Sequence, residues 1–284
     1  MQFSKRSAIV AMAAAAVFST STLAEETYRL TTGAVGGTYY GVIGVNLRNI
    51  LREKGINFDV MESKGSVENL ERLSSSEADV GLTQGDAAAA FFQTNPAADV
   101  EILGSLGQEC VFLVTHKDSG IEEIQDLDQP DQKIAVGTQG SGSAQTWDYM
   151  RTLNSDYAEP QVFYQGGVRA LGQVQTGQLD AFLWVTSPEN RDHNLLNAVL
   201  VDNSPFRFVE IDDDKLSSTL PNGTQVYTSH EVVGRTNTGW FGGDEDVDTV
   251  CTDLMVVADY NLDTRVQEEV ATAVLMNANR INGK

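Results

Sequence analysis

Short apolar runs alternate with stretches of helical periodicity along nearly the whole chain. YRLTT (28–32), FDVME (58–62), DVGLT (79–83) and VEILGS (100–105) read as strands. Between them, 39–54 predicts a helix with Val42, Ile43, Leu47, Ile50 and Leu51 on one side, and 66–74 and 86–92 predict two more. After CVFLVT (110–115) the pattern resumes with strands at KIAVG (133–137), QVFYQ (161–165), DAFLWV (180–185) and FRFVEI (206–211). Helices are expected over 143–153 and 167–176, and a last strand at 251–258 precedes a closing helix over 264–278.

Alternating strands and helices imply an α/β protein whose mostly parallel sheets are covered on both faces. The chain also carries an internal echo. LERLSSSEADVGLT (70–83) and LGQVQTGQLDAFLW (171–184) place apolar residues, an aspartate and a hydrophobic strand at the same offsets. Each copy follows a glycine-rich loop, GAVGGT (33–38) or GTQGSG (137–142), which suggests two similar α/β lobes. The stretch 212–250 is rich in Asp, Ser, Thr, Asn and Gly and reads as an irregular excursion hiding a few short elements.

Charge and the N-terminus narrow the setting. Lys5 and Arg6, the apolar run Ile9 to Phe18 and the small residues Thr22-Leu23-Ala24 form a secretory signal pattern over 1–24. The expectation is an exported protein, periplasmic once the signal peptide is removed. Losing Lys5 and Arg6 takes the formal net charge from −21 to −23. So acidic a surface excludes nucleic-acid binding, which relies on Lys and Arg to neutralise phosphates. No later segment approaches the ~20 apolar residues of a membrane helix, so direct membrane insertion is not expected.

The two cysteines, Cys110 and Cys251, each open a strand-like run. An exported chain with an even count pairs them; the alternative is two separate buried thiols. No cysteine–histidine spacing resembles a metal site, and His116, His193 and His230 stand alone as surface or loop residues.

Several helices begin just beyond strand ends with small or hydroxylated residues: GAVGGTYY, KGSVENL (64–70), TQGDAA (83–88), GTQGSGSAQ (137–145), QGGVR (165–169) and VTSPEN (185–190). In open α/β sheets ligands bind at that end. A helix N-terminus exposes unpaired N–H groups and partial positive charge, which suits a carboxylate or another small anion. Each loop taken singly is also readable as a tight turn, Ser66 as an N-cap, and Trp184, inside an apolar strand, as core. Tyr39, Tyr40, Trp147 and Trp184 are candidates to wall an apolar part of a pocket. The loops lack the lysine of a phosphate loop and the glycine spacing of a dinucleotide site, and Ser141 and Ser143 do not form a G-x-S-x-G elbow. No cofactor is expected.

TTGAVGGTYYGVIG, SKGSVENLERLSSSEADVGLTQGD, KIAVGTQGSGSA, GQLDAFLWV and GWFGGDEDVDTV, in that order, resemble the TAXI-type solute receptors of tripartite ATP-independent periplasmic (TRAP) transporters. The resemblance runs from about Tyr28 to the C-terminus. It implies a two-lobed periplasmic binding-protein fold (type II-like), each lobe a mostly parallel sheet flanked by helices, joined by two hinge strands. Residues 25–112 and 253–284 would form lobe I and 113–252 lobe II. It also implies a monomer that closes on a small carboxylate, such as an acidic amino acid or an oxo- or dicarboxylic acid, and delivers it to membrane permease subunits.

Carried over from the family, Gly37, Thr38, Tyr39, Tyr40, Ser66, Asn69, Gln84 and Asp86 fall on the first lobe's cleft wall. Ser141, Gly142, Ser143 and the stretch from Trp184 to Ser187 fall on the second. CVFLVT and CTDLMVV would be the two crossings, so a Cys110–Cys251 bridge would join them at the hinge. VTSPENRDHN (185–194) departs from the family's small apolar loop, and Arg191 is either a counter-charge or a solvated surface residue. Two other roles share these features: a sensor subunit with the same fold, and a periplasmic enzyme built on Ser141 or Ser143, for which no base stands at recognisable spacing.

Overall fold

A computed structural model of the chain describes residues 26–190, 193–235 and 245–284. The signal segment, Arg191 and the first half of GWFGGDEDVDTV lie outside them. In the first half of the chain, strands β1 (Thr27–Thr31), β2 (Asn57–Met61) and β3 (Val80–Gln84) alternate with helices α1 (Val45–Arg52), α2 (Ser66–Ser74) and α3 (Gly85–Thr94). A π-helical turn, Tyr39–Gly44, leads directly into α1. In the second half, β5 (Lys133–Ala135), β6 (Gln161–Phe163) and β7 (Ala181–Thr186) alternate with α4 (Gly142–Leu153), α5 (Gly167–Gln175) and α6 (Asn194–Leu200). Strands β8 (Phe206–Phe208) and β9 (Thr228–Arg235) and the closing helix α7 (Thr264–Ile281) complete the set.

Two long strands hold the halves together. β4 (Val100–His116) fuses the two runs read separately as VEILGS and CVFLVT, and β10 (Glu245–Asp259) begins well before Cys251. They pair antiparallel at the centre of one sheet ordered β2-β1-β3-β10-β4-β7-β5-β6. β1, β2 and β3 pair parallel on one side, as do β5, β6 and β7 on the other. The mostly parallel, helix-covered sheets are those expected from the pattern; the two crossing strands are those the resemblance implies, and their antiparallel pairing is a finding of the structure.

Alternation along β4 divides the core. Cys110, Phe112 and Val114 face one apolar cluster with Phe182, Trp184, Leu195 and Phe208. Val111 and Leu113 face another, which also holds Ala87 to Ala89 of α3 and Ala144, Trp147 and Met150 of α4. A third cluster joins α1, α7 and the strands of the first half. α6 and β9 were not apparent in the sequence: α6 follows a charged, polar stretch, and β9 lies inside the Asp/Ser/Asn-rich excursion.

The internal echo is structural. α2–β3 and α5–β7 are the same unit, each closed by an aspartate. Asp79 Oδ2 accepts from the Arg29 N–H at 2.6 Å and Asp180 Oδ2 from the Lys133 N–H at 2.8 Å. In return Asp79 and Asp180 donate their own N–H to the carbonyls of Arg29 and Lys133. The turn after each helix needs a left-handed residue; the first copy uses Ser76 (φ 56°) and the second Gly177 (φ 68°). A side chain there costs about 1 kcal/mol. Gly177 faces open space, so Gly177→Ala tests strain alone. It is expected to lower the melting temperature by a few degrees and Ser76→Gly to raise it; equal melting for all three proteins would contradict the assignment.

Cys110 and Cys251 are directly opposite each other in the β4–β10 ladder and are joined as a disulfide. The bridge spans a sequence separation of 141. Cross-linking a loop of that size stabilises by about 5 kcal/mol in the chain-entropy model. Reduction is therefore expected to shift the urea midpoint downwards by the equivalent of several kcal/mol. A midpoint indifferent to dithiothreitol would show that the bridge contributes nothing.

Candidate functional site

The loops after β1, β2, β3 and β5 meet where the two halves of the molecule face each other. Gly65 precedes α2 and approaches the start of α4. A Cβ built on Gly65 would lie 3.5 Å from the Gly140 carbonyl oxygen and 3.7 Å from the Gly142 nitrogen. Gln84, immediately before α3, reaches the same place. A Cβ on Gly142 would stand 1.9 Å from Gln84 Oε1, so any larger residue there displaces the Gln84 carboxamide. Three helix N-termini, those of α2, α3 and α4, thus converge across the divide. Their first N–H groups have no carbonyl acceptor within the helix; those of Asp86, Ala87 and Ala144 are already taken by the side chains of Thr252, Asp86 and Ser141.

Asp86 and Glu109 supply the opposite polarity. Asp86 lies in the first turn of α3 and is fully buried. Its Oδ2 accepts from Thr146 of α4 at 2.5 Å and from the Tyr227 hydroxyl at 3.0 Å, and its Oδ1 accepts from the Ala87 N–H at 2.7 Å. Its own N–H donates to Thr252 of β10. Burial pushes the carboxyl above its ordinary value, against the pull of Thr146 and Tyr227. Glu109, half-buried on β4, was not singled out from the sequence. Its Oε2 accepts from the Tyr39 hydroxyl at 2.8 Å and from Gln84 Nε2 at 3.1 Å. Burial pushes it up to about 7, with Asp86 adding repulsion. Burial and the facing Glu109 likewise raise Tyr39 well above the ordinary phenol.

The other expected site residues divide by position. Gly37 and Thr38 are exposed in the first loop, where Gly36 takes φ 88° and the Gly37 N–H closes a turn onto Ala34. Tyr40 is half-buried in the π-helical turn. Ser66 is not the N-cap of α2. Gly65 holds that position, and the Ser66 hydroxyl accepts from the Gln84 N–H. Asn69 is fully buried as a strut: Oδ1 accepts from Thr31, and Nδ2 donates to the carbonyls of Thr32 and Leu82. Ser141 caps α4, its Oγ accepting from the Ala144 N–H. Ser143 accepts from the Val185 N–H and ties α4 to β7. Ser187 closes a local turn with Glu189.

Trp184 lies in the core rather than on a cleft wall. Alternation along β7 turns it towards Phe112, Phe182 and Phe208, and the half-buried His193 stacks on it. Trp147 is likewise buried, against Tyr157. Among the described residues no group of His, Cys, Asp and Glu is arranged to hold a metal ion.

This architecture is the Venus-flytrap fold of periplasmic binding proteins. The chain belongs to the NMT1-like family, which it matches over residues 30–283. Three solved structures share the fold at low identity. The GluR0 ligand-binding core in complex with L-glutamate is 11% identical over 91% of this chain and 95% of its own, with a TM-score of 0.55. The aliphatic sulphonate binding protein SsuA from Escherichia coli is 16% identical over 92% and 74%, at 0.52. The B. pertussis BvgS periplasmic domain is 12% identical over 90% of this chain, at 0.51, and the chain spans only 42% of it. No helix among the described residues is long and apolar enough to cross a membrane.

Glu109 sets a pH dependence. Its folded-state value near 7 exceeds the ordinary 4.5, so between those values the folded protein holds a proton that the unfolded chain has lost. Stability should therefore fall as pH rises through that window, with a slope of at most about 1.4 kcal/mol per pH unit from this group. Asp86 acts in the same direction. Glu109→Gln is expected to flatten the profile of denaturation midpoint between pH 5 and pH 7 (about the window those values define). An unchanged slope would remove Glu109 as its source.

Proposed function

We propose that this protein is a periplasmic receptor that takes up a small carboxylate between its lobes, closes on it and delivers it to a TRAP-type permease. Lobe I comprises 25–112 and 253–284, and lobe II comprises 113–252. The observation that carries this reading is the convergence of the α2, α3 and α4 N-termini from opposite sides of the hinge. Helix N-termini hold anions with backbone donors and need no net positive surface. That matters in a chain of formal charge −21, which repels anions at long range.

The cleft residues in this reading are Gly37, Thr38, Tyr39, Tyr40, Gln84, Ser141, Gly142 and Ser187, with Ser66, Asn69, Asp86 and Ser143 bracing the tips. The receptor binds without turnover. The hydroxyls of Ser141 and Ser143 accept backbone N–H groups, an arrangement that holds helix and strand in place rather than one that activates a nucleophile. Closure follows from the ligand's higher affinity for the closed form.

A panel of small carboxylates should include members that raise the melting temperature, because binding to the folded state alone stabilises it. At a hundredfold excess over Kd the gain is about 2.7 kcal/mol. No shift and no calorimetric heat from the whole panel would exclude this class of ligand. Conversion of a bound member to another compound would instead make the protein an enzyme.

A further inference from the structure

The two halves are joined by more than the strands that cross between them. Asp86 belongs to the first half and is fully buried. Its Oδ2 accepts the hydroxyls of Thr146, on α4, and of Tyr227, both in the second half. Thr146 and Tyr227 are themselves buried, so water does not compete for either bond. Among the described residues no Lys or Arg pairs with Asp86, and its charge is met by these hydroxyls and the Ala87 N–H. A carboxylate taken out of water is costly unless such donors are held in place. Around it, Ala87, Ala88 and Ala89 of α3 share one buried apolar cluster with Ala144, Trp147 and Met150 of α4. Parting the halves along α3 and α4 would break both hydroxyl bonds and expose that apolar surface at the same time. An ion pair between Lys284 and Glu189 also links the end of the chain to the second half, but both side chains are exposed. Exposed pairs contribute little and are screened by salt.

We propose that Asp86, Thr146 and Tyr227 form a latch that holds the halves together without a ligand, so that the resting state is closed and opening is the gated step. The contacts that stabilise closure are the protein's own side chains. A ligand enters only when the latch parts, and afterwards adds its own differential affinity to a form already favoured. The inference goes beyond the receptor reading and does not depend on it, because it concerns contacts the chain makes with itself. Each hydroxyl carries part of the hold. With one gone, Oδ2 keeps a single donor from the second half. With both gone, a buried carboxylate oxygen has no donor, and water reached by opening becomes its best remaining partner.

The test is small-angle X-ray scattering of the wild-type protein, stripped of co-purified compounds by unfolding, dialysis and refolding with the disulfide intact. The expected profile fits the closed structure and is the same in about 1 M NaCl, where the Lys284–Glu189 pair is screened. Thr146→Val and Tyr227→Phe keep the side-chain shape and remove one hydroxyl each. Each should raise the open-to-closed ratio ~10-fold or more, and both together ~100-fold, read as a larger radius of gyration with a cooperative melting transition retained. A stripped wild-type protein that scatters as an open form, or that opens in salt, would overturn the inference. So would a folded double variant as compact as the wild type. If the double variant fails to fold, the single variants carry the same comparison, and neither being more open than the wild type would count against the latch. No ligand enters the experiment, so its failure leaves the receptor reading intact.

Discussion

The structure depends on the antiparallel pairing of β4 with β10, fastened where Cys110 faces Cys251. These two strands carry the chain between the halves, and every other strand joins the sheet through them. Register shifts at Leu254/Met255 and Val256/Val257 bend the ladder on the first-half side of the bridge. Beyond the bridge, β4 turns to pair with β7 and β10 with β9. A covalent pin at the crossing keeps the two strands from sliding past each other, while the bonds from Thr146 and Tyr227 to Asp86 join the halves beside it.

The pin also fixes the chemistry beside it. Glu109 adjoins Cys110, and Thr252, next to Cys251, accepts the N–H of Asp86. Both carboxylates are therefore held beside the crossing by the strands that form it. Asp86 is offset by three donors, two of them from residues on the far side, and so works as a latch between α3 and α4. Glu109 has only Tyr39 and Gln84, neither of them charged. The two carboxylates thus differ in how fully their oxygens are held by neighbouring donors.

Apolar packing acts alongside this latch. Ala87, Ala88 and Ala89 give α3 a narrow face, which shares one buried cluster with Ala144, Trp147 and Met150 of α4. Small side chains let the helices approach closely enough for Thr146 to reach Asp86. The gap between the halves is thus filled deep inside, while the helix tips meet at its edge.

The sequence by itself determined the order and type of most elements, because hydrophobic periodicity reports which face of a segment is buried. It also contained the α2–β3 and α5–β7 echo, since Asp79 and Asp180 act on backbone groups whose spacing is set locally, and the paired cysteines. It drew attention to Ser66 and Asn69, which lie in the first turn of α2. It had no means of showing that Asn69 is saturated by Thr31, Thr32 and Leu82, groups distant along the chain. Trp184 shows the limit from the other side: its neighbours made both core and cleft plausible, and only the sheet face it shares with Phe112 and Phe208 decided between them. Glu109 went unnoticed because GQECVFL offers no periodicity or motif around it. Its meaning arises from Tyr39 and Gln84, brought beside it by two separate strand–helix units. Local pattern fixes what a segment becomes, whereas the surroundings of a buried charge are set by residues far apart in sequence, and those only the tertiary structure brings together.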